Sequence, residues 1–295
     1  MRRPGSIELM MLTTIVMWAL NLTLTRYVLT HGFEPLAYAT LRYALAVLIF
    51  AAIVLTTQGS LRIERSDLPL VLLAALMIVL NQTSFVYALD TTSASTIGLL
   101  LGATPAIAAL IALAFGLERM SRRFWIASLV SFAGVGLVAL GSGGSVSASP
   151  LGILLGVSTA ASWAAYSLCA APLMQRYTAS HVSALVLGIA WIGIAAAGAP
   201  QTLDQELGLG WEVWTLFVLA TIGPLVIATI FWFRVLGRIG VSRATLAANL
   251  QPFVAAVFAL LLLSERLTVL QAAGGVLIAG GILLARRRTV VPVAE

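Results

Sequence analysis

Residues 104–119, TPAIAALIALAFGLER, and residues 251–266, QPFVAAVFALLLLSER, are two copies of one pattern. Pro105 and Pro252 stand 147 positions apart; Glu118-Arg119 and Glu265-Arg266 keep that offset, and so do Gly134 and Gly281 downstream. Each copy reads as a proline-bearing helix, a Leu-rich run, Glu-Arg and then a Gly-rich helix. Further upstream the match continues at an offset of 145: Thr14 with Thr159, Trp18 with Trp163, Asn21 with Tyr166. A two-residue gap between the registers reconciles the offsets, so the chain contains itself twice.

The 295 residues are 60% hydrophobic and 9% charged, against about 25% charged in soluble domains. So little polar surface cannot cover a water-soluble globule, and so apolar a chain is not disordered. A single cysteine, Cys169, excludes a disulfide scaffold and a Cys-rich metal site. All seventeen basic residues are Arg, and the net charge is +6. The arginines recur in short clusters between apolar runs, as the loop anchors of a membrane protein do, and form no patch for nucleic acid.

A helix crosses the hydrocarbon core with about 20 apolar residues. Runs between turn and charge clusters predict ten spans, at 7–29, 35–57, 68–89, 93–116, 124–141, 151–172, 182–199, 212–235, 241–263 and 268–286. The breakers include His31-Gly32-Phe33-Glu34-Pro35, the stretch from Gly141 to Pro150, and Pro200 to Gly210. Arg2-Arg3 before an apolar run resembles a signal peptide, but no small-residue cleavage site follows, so the run reads as a retained first span. With the N-terminus in the cytoplasm, fourteen arginines fall in cytoplasmic segments, Arg266 alone falls outside, and Arg26 and Arg42 lie within spans. That bias supports ten spans with both ends cytoplasmic. Five spans per half is an odd number, so the second half enters the membrane from the opposite side. The expected fold is all-α and integral to the membrane, with ten transmembrane helices in two inverted-topology five-helix repeats. That architecture recurs in secondary transporters, where the two halves swap conformations around a site between them.

Ten spans, two five-helix repeats, a Trp in the first helix of each half and the Pro…Glu-Arg…Gly pattern resemble the drug/metabolite transporter superfamily, within it the EamA family. The resemblance covers residues 7–286, with repeats at 7–141 and 151–286 and a cytoplasmic tail at 287–295. It implies export or facilitated passage of small metabolites across the bacterial cytoplasmic membrane, amino acids and related compounds being the usual cargo. It also implies that helices one, three, four, six, eight and nine line a cavity while helices five and ten pack at the periphery. No cofactor is expected, and the expected partners are a small-molecule cargo and the lipid bilayer.

Polar side chains within a span are costly unless they face a cavity or a partner. Thr14, Trp18, Asn21 and Thr25 share one face of helix one; Thr159, Ser162, Trp163 and Tyr166 share one face of helix six. As repeat mates the two stripes are expected to face each other, with the indoles as flat walls and Asn21 and Tyr166 as hydrogen-bonding groups. The competing reading is interhelical glue. Helix three adds Asn81, Gln82 and Phe85; helix four adds Thr104 before Pro105; helix nine adds Asn249, Gln251 and Pro252. Each proline frees the carbonyl four residues back, at Leu101 and Ala248, for cargo or for a simple kink. Arg42 and Arg26 can hold a cargo carboxylate, snorkel outward or pair with Glu34. Glu118 and Glu265 end helices four and nine, as structural anchors or gate contacts.

Helices five and ten carry small residues, among them Ala127, Ser131, Gly134, Gly136, Gly274, Gly275, Ala279, Gly280 and Gly281. These suit close packing, and a homodimer through helices five and ten is an alternative to a monomer. Only Glu8 and Asp90 come near an in-span carboxylate, and His31 and His181 are expected in loops. This tilts the reading towards facilitated diffusion or exchange over proton antiport. No His-Glu-x-x-His and no nucleophile with a neighbouring base argues for an enzyme. Drug-like cation efflux and a non-transport scaffold are the other readings.

Overall fold

The computed structural model describes residues 5–91, 94–117, 120–141, 150–263 and 268–286. Its helices, in chain order, are α1 (Ser6–Thr30), α2 (Pro35–Gln58), α3 (Leu68–Thr91), α4 (Ala94–Leu101), α5 (Thr104–Ala114), α6 (Arg122–Gly141), α7 (Pro150–Leu173), α8 (Ala179–Asp204), α9 (Gly210–Ala220), α10 (Ala228–Ile239), α11 (Val241–Ala248), α12 (Gln251–Leu263) and α13 (Val269–Arg286). A π-helical stretch, Thr221–Ile227, joins α9 to α10. Among the described residues, six helical segments are each long and apolar enough to cross a membrane. The ten spans are α1, α2, α3, α4–α5, α6, α7, α8, α9–α10, α11–α12 and α13, and they form two inverted five-helix repeats.

Local chemistry sets the ends. Pro35 opens α2 at a position where its missing N–H has no intrahelical partner, and Gly59 closes it with φ of 72°. Thr178 caps α8 by accepting from the His181 N–H at 3.3 Å. That cap puts His181 inside the first turn of α8, buried, where a loop was expected. Large apolar side chains such as Leu48, Leu129 and Val276 lie exposed, which suits a lipid environment and not water.

The chain forms two compact units, Met1–Tyr87 with Ala165–Gly240 and Ala88–Ala164 with Val241–Glu295. Neither coincides with a sequence repeat; each draws on both. In the first unit α2 and α8, which are repeat mates, run antiparallel. Gln201 at the end of α8 accepts from the Leu36 N–H at 2.7 Å, and Trp191 donates to the Thr40 carbonyl at 3.1 Å. At the other end Gln58 donates to Thr178 at 2.8 Å and pairs with His181 at 3.0 Å. In the second unit the mates α6 and α13 also run antiparallel. Gly134 and Gly274 touch through their backbones, Gly281 lies on Ala127 and Ser131, and Thr268 donates to the Gly141 carbonyl at 3.1 Å. Antiparallel mates are what an inverted duplication requires. Gly134, Gly274 and Gly281 of these two helices meet within one chain.

Polar clasps close both ends of the first unit. Gln205 accepts from the Glu34 N–H at 2.7 Å and donates to the Gly32 carbonyl at 3.0 Å, beside stacked Phe33 and Phe217. At the opposite end buried Asp67 accepts from Arg176 Nη1 at 2.9 and 3.1 Å and from the Tyr177 hydroxyl at 3.0 Å. The hydrogen bond that Arg176 donates to Asp67, then the carboxylate's charge, holds the guanidinium above its ordinary range.

Candidate functional site

The helix-one stripe lies along α9–α10 in the first unit. Thr14 donates to the Met10 carbonyl at 2.9 Å and reaches the Ala228 carbonyl at 3.5 Å. Trp18 Nε1 donates to the Pro224 carbonyl at 3.1 Å, and its ring packs on Trp232 at 5.0 Å. Asn21 Oδ1 accepts from Arg42 Nη2 at 2.8 Å, and the same nitrogen donates to the Ala220 carbonyl at 2.9 Å. The three α9–α10 carbonyls stand four residues apart, one per turn. Pro224 has no N–H to offer the Ala220 carbonyl one turn before it, and Arg42 supplies a donor there. The π-helical widening at this proline brings an irregular backbone to the stripe, as such widenings often do at functional sites.

Arg42 thus departs from expectation. It neither snorkels outward nor pairs with Glu34: it is buried, with Cζ 5.5 Å from the centre of the Tyr38 ring. The Tyr38 hydroxyl is 3.1 Å from Thr25 Oγ1, which is 3.5 Å from Asn21 Oδ1. Its partners in the interior are two neutral oxygens and an aromatic face. On α3, buried Asn81 accepts from half-buried Gln82 at 2.9 Å.

The helix-six stripe divides at the unit boundary. Tyr166, in the first unit, is buried with its ring edge-on to Phe233 at 5.5 Å. Thr159, Ser162 and half-buried Trp163 belong to the second unit. Thr159 donates to the Leu155 carbonyl at 2.8 Å and Ser162 to the Ser158 carbonyl at 2.6 Å, each within its own helix.

Spans four and nine, both in the second unit, break immediately before their prolines, at Gly102-Ala103 and Asn249-Leu250. Asn249 donates to the Gly102 carbonyl and to Ser131 Oγ, each at 3.1 Å. The Leu101 carbonyl freed by Pro105 is taken by the Thr104 hydroxyl, so it is not left open for cargo. Half-buried Gln251 opens α12. A cleft of about 310 Å³ lies at the α4–α5 break, with Gly102, Trp125, Ser128 and Phe132 among its walls. Glu118 and Glu265 lie outside the described residues, as do the side chains of Arg26 and Asp90. Glu8 is exposed at the start of α1, where its carboxylate accepts from the Gly5 N–H at 3.1 Å.

Tyr38, Ala220, Pro224 and Trp232 are site residues that no sequence pattern singled out. Pro224 carried a usable signal: the proline rule applied to Pro105 and Pro252 also points to the Ala220 carbonyl. Trp232 carried none, since its contact with Trp18 depends on how two distant helices pack.

The sequence profile of the EamA-like transporter family matches residues 5–140 and again residues 150–287. An uncharacterized transporter, YdfC, of Bacillus subtilis (strain 168) is 28% identical over 268 residues, 85% of this chain and 82% of that protein. A probable terminal-alkyne amino-acid exporter of Streptantibioticus cattleyicolor is 27% identical over 290 residues, 94% of this chain and 92% of its own length. One crystal structure aligns with 96% of this chain and 97% of its own at a TM-score of 0.75 and 20% identity, a likeness of fold.

Proposed function

Because the chain belongs to the EamA-like transporter family, we propose that it exports amino acids or related small amphipathic metabolites by alternating access. In this reading it sits in the bacterial cytoplasmic membrane with both termini inside, and it performs no enzymatic reaction. One observation carries the mechanism: in an inverted repeat, the mates α4–α5 and α11–α12 break at equivalent points and are linked there by Asn249 and Gly102. Discontinuous helices in repeated halves are how many secondary transporters build a movable site. The amino-acid exporter among the relatives supports the cargo class.

Drug-like cations are the second reading. Among the described side chains the carboxylates of the spans, Glu8, Asp204 and Glu212, are exposed at helix ends and none lies in a span's interior to attract them, and Arg42 repels them. The same lack of an in-span acid favours facilitated diffusion or exchange over proton antiport. Counterflow in proteoliposomes tests the function. A preloaded unlabelled amino acid should drive entry of its labelled counterpart, and an imposed pH gradient alone should drive no accumulation. Replacement of Trp163 should impair exchange in a carrier and leave a scaffold unaffected.

A further inference from the structure

We propose that Arg42, with Asn21 and the Ala220 carbonyl beside it, forms the binding site for the cargo's carboxylate. The proposal rests on the export reading above and names the group its cargo must carry. Arg42 is 8% exposed within a membrane span, and a guanidinium is a cation. A buried cation without an anion is costly, and membrane proteins keep one where function requires it. Among the described residues no carboxylate pairs with Arg42; the ion pairs join Arg176 to Glu64 and to Asp67. Both of its hydrogen bonds leave from Nη2 and end on neutral oxygens. Nε is buried and makes none. The Tyr38 ring, tied through its hydroxyl to Thr25, holds the guanidinium in orientation.

A brace between α1, α2 and α9 needs donors, not a charge. The charge is what these contacts leave unexplained, and an anion is its complement. A carboxylate suits the guanidinium best, because paired N–H groups match its two oxygens. Asn21 Oδ1 stands where one of those oxygens would bind, and Asn21 is only half-buried. An arriving carboxylate displaces this neutral acceptor, and the freed Asn21 amide can turn a donor N–H towards it. Amines find no counter-charge here.

The test is counterflow in proteoliposomes with labelled L-leucine, L-threonine and L-phenylalanine, followed by the amide and the decarboxylated amine of whichever exchanges. The wild type should exchange the amino acid and neither derivative. Arg42→Gln should weaken amino-acid exchange by roughly 10- to 100-fold, and Arg42→Lys should restore part of it. Asn21→Asp should raise the melting temperature, by giving Arg42 a permanent partner, and should suppress exchange. A higher melting temperature with unchanged exchange would make the cluster a brace and overturn the proposal. Equal exchange of the amide would overturn the site and leave the export reading standing, a comparison that needs no variant to fold. Exchange of none of the three amino acids would overturn the export reading, and the site with it.

Discussion

Asn249 donates its side-chain amide to the carbonyl of Gly102, and the two residues are repeat mates 147 positions apart. Each sits where its span breaks before a proline, so the duplication meets itself at this bond. Ser131 Oγ receives the amide as well. Asn249→Ala leaves both acceptors buried without that donor, which should cost about 1–3 kcal/mol. Thermal unfolding in detergent reads the loss; an unchanged melting temperature would show that the bond is incidental.

Close backbone contact between α6 and α13 makes a second prediction. A Cβ on Gly134 would stand 2.6 Å from the Gly274 carbonyl oxygen, and backbone cannot yield as a side chain does. Gly134→Ala should therefore destabilise by about 1–3 kcal/mol, as overpacking does. Gly280, on the same helix as Gly274, has nothing within 4 Å of where a Cβ would stand, so Gly280→Ala should be tolerated. Equal melting temperatures for the two variants would refute the packing described.

Pro224 leaves the Ala220 carbonyl to Arg42. Pro224→Ala returns an N–H that can compete for that carbonyl, so α9–α10 should become more regular and more stable. Arg42 would lose one of its two acceptors. The expected outcome is a higher melting temperature with slower amino-acid exchange. Faster exchange, or a lower melting temperature, would contradict this account of the break.

The Asp67 clasp is asymmetric: Asp67 is buried and Arg176 is largely exposed. Removing Arg176 strands a buried carboxylate, while removing the carboxylate strands little. Arg176→Ala should lower the melting temperature, and adding Asp67→Asn should recover part of the loss. Strictly additive losses in this double-mutant cycle would show that the two side chains do not act together.

The orientation can be read by labelling. With Cys169 replaced by Ser, a cysteine at Leu207 should react with a membrane-impermeant maleimide on intact cells. A cysteine at Ser66 should react only after lysis. The reverse pattern would invert the topology.

Ten spans, their inverted duplication and the prolines beside which spans four and nine break were legible from residues alone. Each rests on a local rule: apolar length, arginine bias, or the N–H a proline lacks. The same rule would have found Ala220 from Pro224. Arg42 was legible as a charge in a span, but its partners were not. Asn21 is 21 positions away and Ala220 is 178 positions away, and both meet it only because α1, α2 and α9 pack at particular rotations.

Hydropathy, charge and backbone chemistry act within a few residues. The order of residues therefore dictates which segments must cross the membrane, how successive segments alternate in direction, and where the helices yield. Packing dictates the rest: mates pair into two units that cut across the repeats, Trp18 lies on Trp232, and Arg42 turns inward. Those outcomes depend on which helical faces meet. Small residues let backbones approach, and a polar group then takes whatever acceptor that approach brings within reach.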